Sequence, residues 1–322
     1  MIKRLIATAA VLSFCLASAP ASASARCGAQ PITAGYGANG VYGIETEHLV
    51  NPGDENNEMT VYFPQGVAVP RPVVFFAHGF GPGLTATYAD LIKHIVSKGY
   101  VVVFSTYPMM GVSIGDRYDS LWRGFAAAAA RFHSRMDLSR VAFIGHSFGG
   151  GAVPAMAHEG LVEKGWGRKG AFLMELAPWY SFQITRGEFA KIPAAAAQFV
   201  EVYDKDNTND HRIAIHLYDD SHAKDRYFFL VRSDDTCGFT ANHSTPGRNG
   251  SLIQKEYAIF RPFDALAALE FDADEAARGA LEKMGEPSPE YQPLRLLPNP
   301  TPDRPESYYR WPWDDSRNPY SL

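Results

Sequence analysis

Arg140-Val-Ala-Phe-Ile-Gly-His-Ser147-Phe-Gly-Gly-Gly151 decides how this chain is read. Its apolar first half predicts a short buried strand. Its small-residue second half predicts a helix. Gly145, Ser147 and Gly149 form a G-x-S-x-G pattern at the corner between them. That spacing places a serine hydroxyl on a sharp strand-to-helix turn above a parallel sheet. Glycine is needed there because a side chain would clash in so tight a turn. The first amides of the following helix have no intrahelical acceptor and are available to a developing negative charge.

Outward from this corner, apolar runs alternate with helical patterns. Strands are expected at 41–50 and 59–63, separated by the polar turn Asn51-Pro-Gly-Asp-Glu-Asn-Asn57. Arg71 to His78 and Tyr100 to Tyr107 are continuous apolar runs, the mark of strands buried on both faces. Further strands are expected at 171–176, 198–203 and 227–232. Helices are expected at 85–98, 118–134, 150–164, 211–219 and 262–284. Such alternation implies right-handed βαβ units, hence an α/β fold with a mostly parallel sheet flanked by helices and an antiparallel edge from the first strands.

The chain has 322 residues, 46% of them hydrophobic, with a net charge of −5. One large α/β domain over 26–322 suffices, with a Pro- and aromatic-rich tail from about 287 that wraps the surface. Acids and bases are interspersed and no basic face appears, which argues against a nucleic-acid partner. No apolar run is long enough to span a bilayer, so no stable membrane anchor is expected. Lys3 and Arg4, the apolar Leu5–Leu16 segment and the small-residue sites around Ala23 and Ala25 read as a signal peptide over 1–25. The mature protein is therefore expected in the periplasm or outside the cell. Phe14 is too bulky to precede a lipidated Cys15. Export leaves Cys27 and Cys237, and two cysteines in an oxidising compartment suggest one disulfide.

The Ser147 corner resembles that of the α/β-hydrolase superfamily, and the layout from about 40 to 285 follows it. Gly111-Val-Ser113-Ile-Gly115 matches the same short pattern, but Ser113 lies in a loop past its strand and the expected helix starts later. The resemblance implies a nucleophile, an acid and a histidine in that chain order, each on a loop at the carboxyl end of a strand. Ser147 matches the nucleophile. His243, in Thr240-Ala-Asn-His-Ser-Thr-Pro246, follows the last parallel strand and matches the base. His158 and His216 fall in helices, and His222 lies at the wrong end of the sheet. Asp206 fits the acid best, with Asp210, Asp204 and Glu175 as alternatives. The backbone amides of Phe80, in the loop after His78, and of Phe148 match the oxyanion donors. The serine argues against relatives with an aspartate nucleophile.

Met109, Met110, Trp179, Tyr180 and Phe182 are candidates to line a substrate pocket, with ordinary packing as the alternative. His211, His216, His222, Asp219 and Asp220 match no tight ligand spacing, and a solvated helix face explains them better than a metal. No cofactor or metal is implied. The connection from Leu176 to Gln198 is too short for a large lid. The expected activity is that of an exported serine esterase acting on small or polymeric esters. The Gly-His-Ser-x-Gly-Gly-Gly stretch loosely resembles the cutinase, polyester-hydrolase and chlorophyllase-like branches. A lipase for longer acyl chains, an acyltransferase, a peptidase and a silent hydrolase fold used for binding are the rivals.

Overall fold

A computed structural model describes residues 28–286 apart from Asn249, together with 293–314 and Ser316. The expected signal segment over 1–25 and Cys27 lie outside the described residues. Cys237 is disulfide-bonded.

The strands are β1 (Ile44–Asn51), β2 (Asp54–Pro64), β3 (Arg71–Ala77), β4 (Val101–Ser105), β5 (Met136–His146), β6 (Gly170–Leu176), β7 (Ala197–Tyr203), β8 (Arg226–Val231) and β9 (Leu294–Leu296). They form one sheet in the order β1-β2-β4-β3-β5-β6-β7-β8-β9. From β4 through β8 every neighbouring pair is parallel. Antiparallel pairs lie at the two edges. The helices are α1 (Ala89–Ser97), α2 (Ile114–Arg131), α3 (Phe148–Ala157), α4 (Arg186–Phe189), α5 (His211–Asp219), α6 (Leu252–Lys255), α7 (Arg261–Asp272) and α8 (Ala276–Met284).

The pleat sorts the central strands onto two cores. Val74 and Phe76 of β3 pack with Leu91 and Ile95 of α1 and with Phe263 of α7. Val73 and Phe75 pack on the other face with Leu121 and Phe125 of α2 and with Val153 of α3. Alternate side chains point to opposite faces, so an uninterrupted apolar strand needs a helical layer on each side. Phe75 and Phe76 are essentially fully buried, and each such side chain contributes roughly 1.5–3 kcal/mol.

The chain leaves β3 for β4, returns past β3 to β5, and then advances through β8. The strand order therefore reverses between β3 and β5. The crevice beyond the carboxyl ends of two such strands is the natural ligand site of an open parallel sheet. Ser147 follows β5 there, and the His78–Phe80 loop follows β3.

Several elements differ from the sequence expectation. The first hairpin is tighter than a seven-residue turn, with Asn51 opposite Asp54. The fully buried Asn51 amide donates to the Thr106 carbonyl at 2.7 Å and to Ser105 Oγ at 3.2 Å, while its Oδ1 accepts the Gly53 N–H. Helix α2 begins at Ile114 because Ser113 caps it: Ser113 Oγ accepts the Asp116 N–H, and Asp116 Oδ2 accepts the Ser113 N–H. The long helix expected over 262–284 is two, broken at Ala273, which adopts a left-handed φ of 55°. The tail is not all irregular. Residues 294–296 pair with β8 and cover an edge that would otherwise present unpaired backbone groups.

Candidate active site

Ser147 has φ 57° and ψ −118°, a combination that costs about 1–3 kcal/mol in a non-glycine residue. The surroundings hold it there. Its N–H donates to the Leu176 carbonyl at 2.9 Å, and its own carbonyl accepts from Trp179 N at 2.8 Å and Gly151 N at 3.0 Å. A Cβ on Gly145 would stand 2.1 Å from the Gly149 carbonyl oxygen, and one on Gly149 would stand 2.0 Å from that of Ala77. Only glycine lets the turn approach both itself and β3 so closely.

His243 Nε2 lies 2.8 Å from Ser147 Oγ, and His243 Nδ1 lies 2.8 Å from Asp206 Oδ2. A carboxylate only accepts, so Nδ1 carries a proton and the neutral ring's Nε2 accepts the serine O–H. Asp206 is buried, and its other oxygen accepts Thr208 N at 2.7 Å and Asn209 N at 3.4 Å. The acid loop is pinned to the histidine loop by Lys205 N donating to the Ala241 carbonyl at 2.9 Å. A tight turn fixes the histidine: Asn242 N–H donates to Thr245 Oγ1, and Ser244 N–H donates to Asn242 Oδ1. Residues 96 and 37 positions apart in sequence thus form one hydrogen-bonded chain.

The alternative acids are occupied elsewhere. Asp210 caps α5 and pairs with Arg212. Asp204 accepts from Ser233 Oγ at 2.7 Å. Glu175 lies inside the sheet, where Gln198 Nε2 donates to it and burial raises it to about 8. Ser113 is the cap of α2, far in role from the serine of the corner.

A second chain of bonds ties the Gly79–Phe80 loop to the His243 loop. His146 Nε2 lies 2.7 Å from the His243 carbonyl, an acceptor, so Nε2 carries the proton. His146 Nδ1 then accepts the Tyr88 hydroxyl at 2.8 Å, and the Tyr88 oxygen accepts the Gly79 N–H at 2.9 Å. Burial, reinforced by the nearby His243, pushes His146 down to about 3. Burial raises Tyr88 to about 12. Both groups stay neutral across ordinary pH, which fixes the direction of every bond in the chain.

The Gly79 carbonyl accepts from His78 Nδ1 at 2.7 Å and from the Tyr107 hydroxyl at 2.9 Å. The two rings stack 4.2 Å apart. In a trans peptide the N–H points opposite to the carbonyl, so this clamp turns the Phe80 N–H away from His78 and Tyr107. Burial lowers His78 to about 4, which keeps it a neutral donor at Nδ1. A Cβ on Gly79 would lie 3.4 Å from Ser147 Cβ, so this loop passes directly against the serine. Phe148 opens α3, and its N–H has no intrahelical acceptor.

Ser147 and His243 open onto a cleft of about 560 Å³. Trp179 lines it, and so do Phe80 and Phe148. Met109 and Tyr180 do not. Tyr180 is buried beneath the cleft, where its hydroxyl donates to the Pro312 carbonyl at 2.6 Å. Met109 packs its side chain against the core on the α2 face, and its carbonyl accepts from Arg117 Nη2 at 2.8 Å. The tail reaches the cleft instead: Arg310 and Trp311 form part of its wall. No local period could announce that return. The sequence pattern also gives no role to His146, Tyr88, His78 and Tyr107, although His146 lies inside the G-x-S-x-G motif and His78 opens the glycine loop.

His211 and His216 are apart in role. His211 pairs with Asp303 at 3.2 Å, and His216 stacks on Trp313 at 4.0 Å. Among the described residues there is no group of three His, Cys, Asp or Glu side chains that could hold a metal ion. No described helix is long and apolar enough to cross a membrane. No family model matches the chain, and no curated protein matches it in sequence.

Proposed function

We propose that the chain is a serine hydrolase of the α/β-hydrolase type that cleaves carboxylic esters. The observation that carries this reading is the unbroken run Ser147 Oγ, His243 Nε2, His243 Nδ1, Asp206 Oδ2, with both contacts at 2.8 Å, on a strained corner that opens into a cleft. A serine hydroxyl needs such a base, and the base needs such an acid.

In the proposed reaction Ser147 Oγ attacks the ester carbonyl carbon as His243 Nε2 takes the hydroxyl proton. Asp206 stabilises the imidazolium. The oxyanion faces the Phe80 and Phe148 amides. Collapse breaks the carbon–oxygen bond, and His243 returns the proton to the leaving alkoxide. Water, deprotonated by the same histidine, then releases the acid from the acyl-serine and restores the hydroxyl. The leader pattern over 1–25 and the bonded Cys237 favour an exported enzyme.

The test is hydrolysis of a p-nitrophenyl ester series, short to long acyl chains, by the wild type and Ser147→Ala. Ester turnover that vanishes in the variant is expected. Equal rates in both would reject Ser147, and no turnover by a folded wild type would reject the esterase reading. A profile peaking at long chains would replace a short-chain esterase with a lipase.

A further inference from the structure

We propose, building on the ester-hydrolase reading, that this cleft selects aromatic esters that carry a carboxylate. Its wall is a continuous arc of rings with a guanidinium at each end. Arg117 lies over Phe80 at 5.5 Å, Phe80 meets Phe148 at 6.1 Å, and Phe148 meets Trp179 at 6.0 Å. Trp179 meets Trp311 at 5.7 Å, and Arg310 lies over Trp311 at 5.9 Å. All six residues line the cleft that holds Ser147 and His243.

The charge in this cleft is one-sided. Among the described residues no aspartate or glutamate lines it. Arg135, Arg140, Arg186, Arg212 and Arg278 each pair with a carboxylate. Among the described residues Arg117 and Arg310 form no ion pair; Arg71, Arg168 and Arg226 form none either, but they lie outside the cleft. Arg117 is held rigidly, its Nη1 and Nη2 donating to the Ser113 and Met109 carbonyls at 3.2 Å and 2.8 Å. Its Nε is buried with no hydrogen-bond partner. Arg310 rides on a strap anchored to the acid loop. The Arg310 and Trp311 amides donate to the Asn207 and Thr208 carbonyls, both at 2.8 Å, and the Asp210 amide donates to the Trp311 carbonyl at 3.0 Å.

The physics of the substrate follows. An aromatic ring laid along Phe and Trp faces loses water from its substituents. A carboxylate left there without a partner is penalised, whereas a guanidinium supplies paired, charge-assisted donors. A guanidinium already stacked on a ring is preorganised for a flat aromatic acid. A neutral ester would use the rings and leave both cations without an anionic partner.

The experiment compares monomethyl terephthalate with its neutral analogue methyl 4-carbamoylbenzoate, and 4-acetoxybenzoate with 4-acetoxybenzamide. The two pairs place the charge on the acyl side and on the leaving side. In at least one pair the anion is expected to be favoured by roughly tenfold in kcat/KM. That preference is expected to shrink severalfold in Arg310→Gln, in Arg117→Gln and at high salt. Calorimetric binding of monomethyl terephthalate and methyl 4-carbamoylbenzoate to Ser147→Ala reads the same selectivity without turnover. Arg310→Gln serves if Arg117→Gln fails to fold, since Arg117 also braces the α2 cap. Ser147-dependent hydrolysis of the neutral esters without preference for either anion overturns this proposal and leaves the ester reading intact. No turnover of any ester, with anion-selective binding retained, overturns the ester reading and keeps the site. Equal binding and equal rates within both pairs overturn the selectivity outright.

Discussion

Two histidine–aspartate pairs in this molecule look alike by distance and stand in opposite settings. His243 meets Asp206 at 2.8 Å, and His94 meets Asp264 at 2.9 Å. Both aspartates are buried. What differs is the second ring nitrogen. His243 turns it to a serine hydroxyl at an open cleft. His94 turns it to Asn39 Oδ1 at 3.1 Å and stacks flat on Phe260 at 4.3 Å. Asp264 also binds Lys98 at 3.0 Å and accepts the Gly37 N–H at 2.8 Å. The core pair therefore ties the N-terminal segment and α1 to α7. A histidine–aspartate contact becomes chemical machinery only when a reactive hydroxyl and space for a substrate stand on its far side.

The largest effects come from breaking the site pair. Ser147→Ala is expected to lower ester kcat by roughly 10³-fold or more with no loss of thermal stability. Asp206→Asn is expected to lower kcat by about 10²–10⁴-fold, because the histidine loses its fixed tautomer. Asp264→Asn is the crossed test. It leaves Lys98 and His94 without their acid and should lower stability by about 3 kcal/mol, while kcat per folded molecule is unchanged. Denaturant melts and active-site-titrated rates separate the two outcomes. If Asp264→Asn reduced kcat as Asp206→Asn does, the contrast between the pairs would collapse.

A smaller effect sharpens the same comparison. Tyr88→Phe removes the hydroxyl that links the Gly79 amide to His146, and through it the His243 carbonyl. Misplacing the oxyanion loop relative to the base should lower kcat roughly tenfold and leave KM almost unchanged. Steady-state kinetics on a short-chain ester checks this. A change confined to KM would argue against a positioning role.

Glu175 extends the comparison to a buried acid with no basic partner. Burial lifts it from 4.5 to about 8, so the folded chain keeps a proton that the unfolded chain releases. Its contribution to stability is full below pH 4.5 and is lost as pH rises toward 8, by about 1.4 kcal/mol per pH unit. Glu175→Gln cannot titrate. Its stability relative to the wild type is therefore expected to climb across pH 4.5–8, as followed by urea melts at several pH values. A flat difference would mean that Glu175 is ionised in the fold.

The parts legible in the sequence were those with local signatures. The Ser147 corner announces itself because strand, glycines and helix are contiguous. His243 and Asp206 could be placed because each follows a recognisable strand, though Asp210 competed until its capping of α5 was visible. The parts that were not legible depend on distant segments meeting. Tyr88 and His146 are 58 residues apart, and Tyr180 and Pro312 are 132 apart. Neither contact leaves a period in the chain. The left-handed Ala273 gives no glycine to mark the helix break. A three-residue edge strand is too short to alternate visibly.

The most direct measurement is covalent labelling with a fluorophosphonate, followed by peptide mass spectrometry. Its reagent reacts with a serine that an adjacent base has activated. The expected result is a single phosphonylated residue, Ser147, at one equivalent per chain, with labelling lost in His243→Ala and retained in Asp264→Asn. No labelling of the folded wild type, or labelling of Ser113 in place of Ser147, would contradict the assignment of Ser147, His243 and Asp206 as the reactive group.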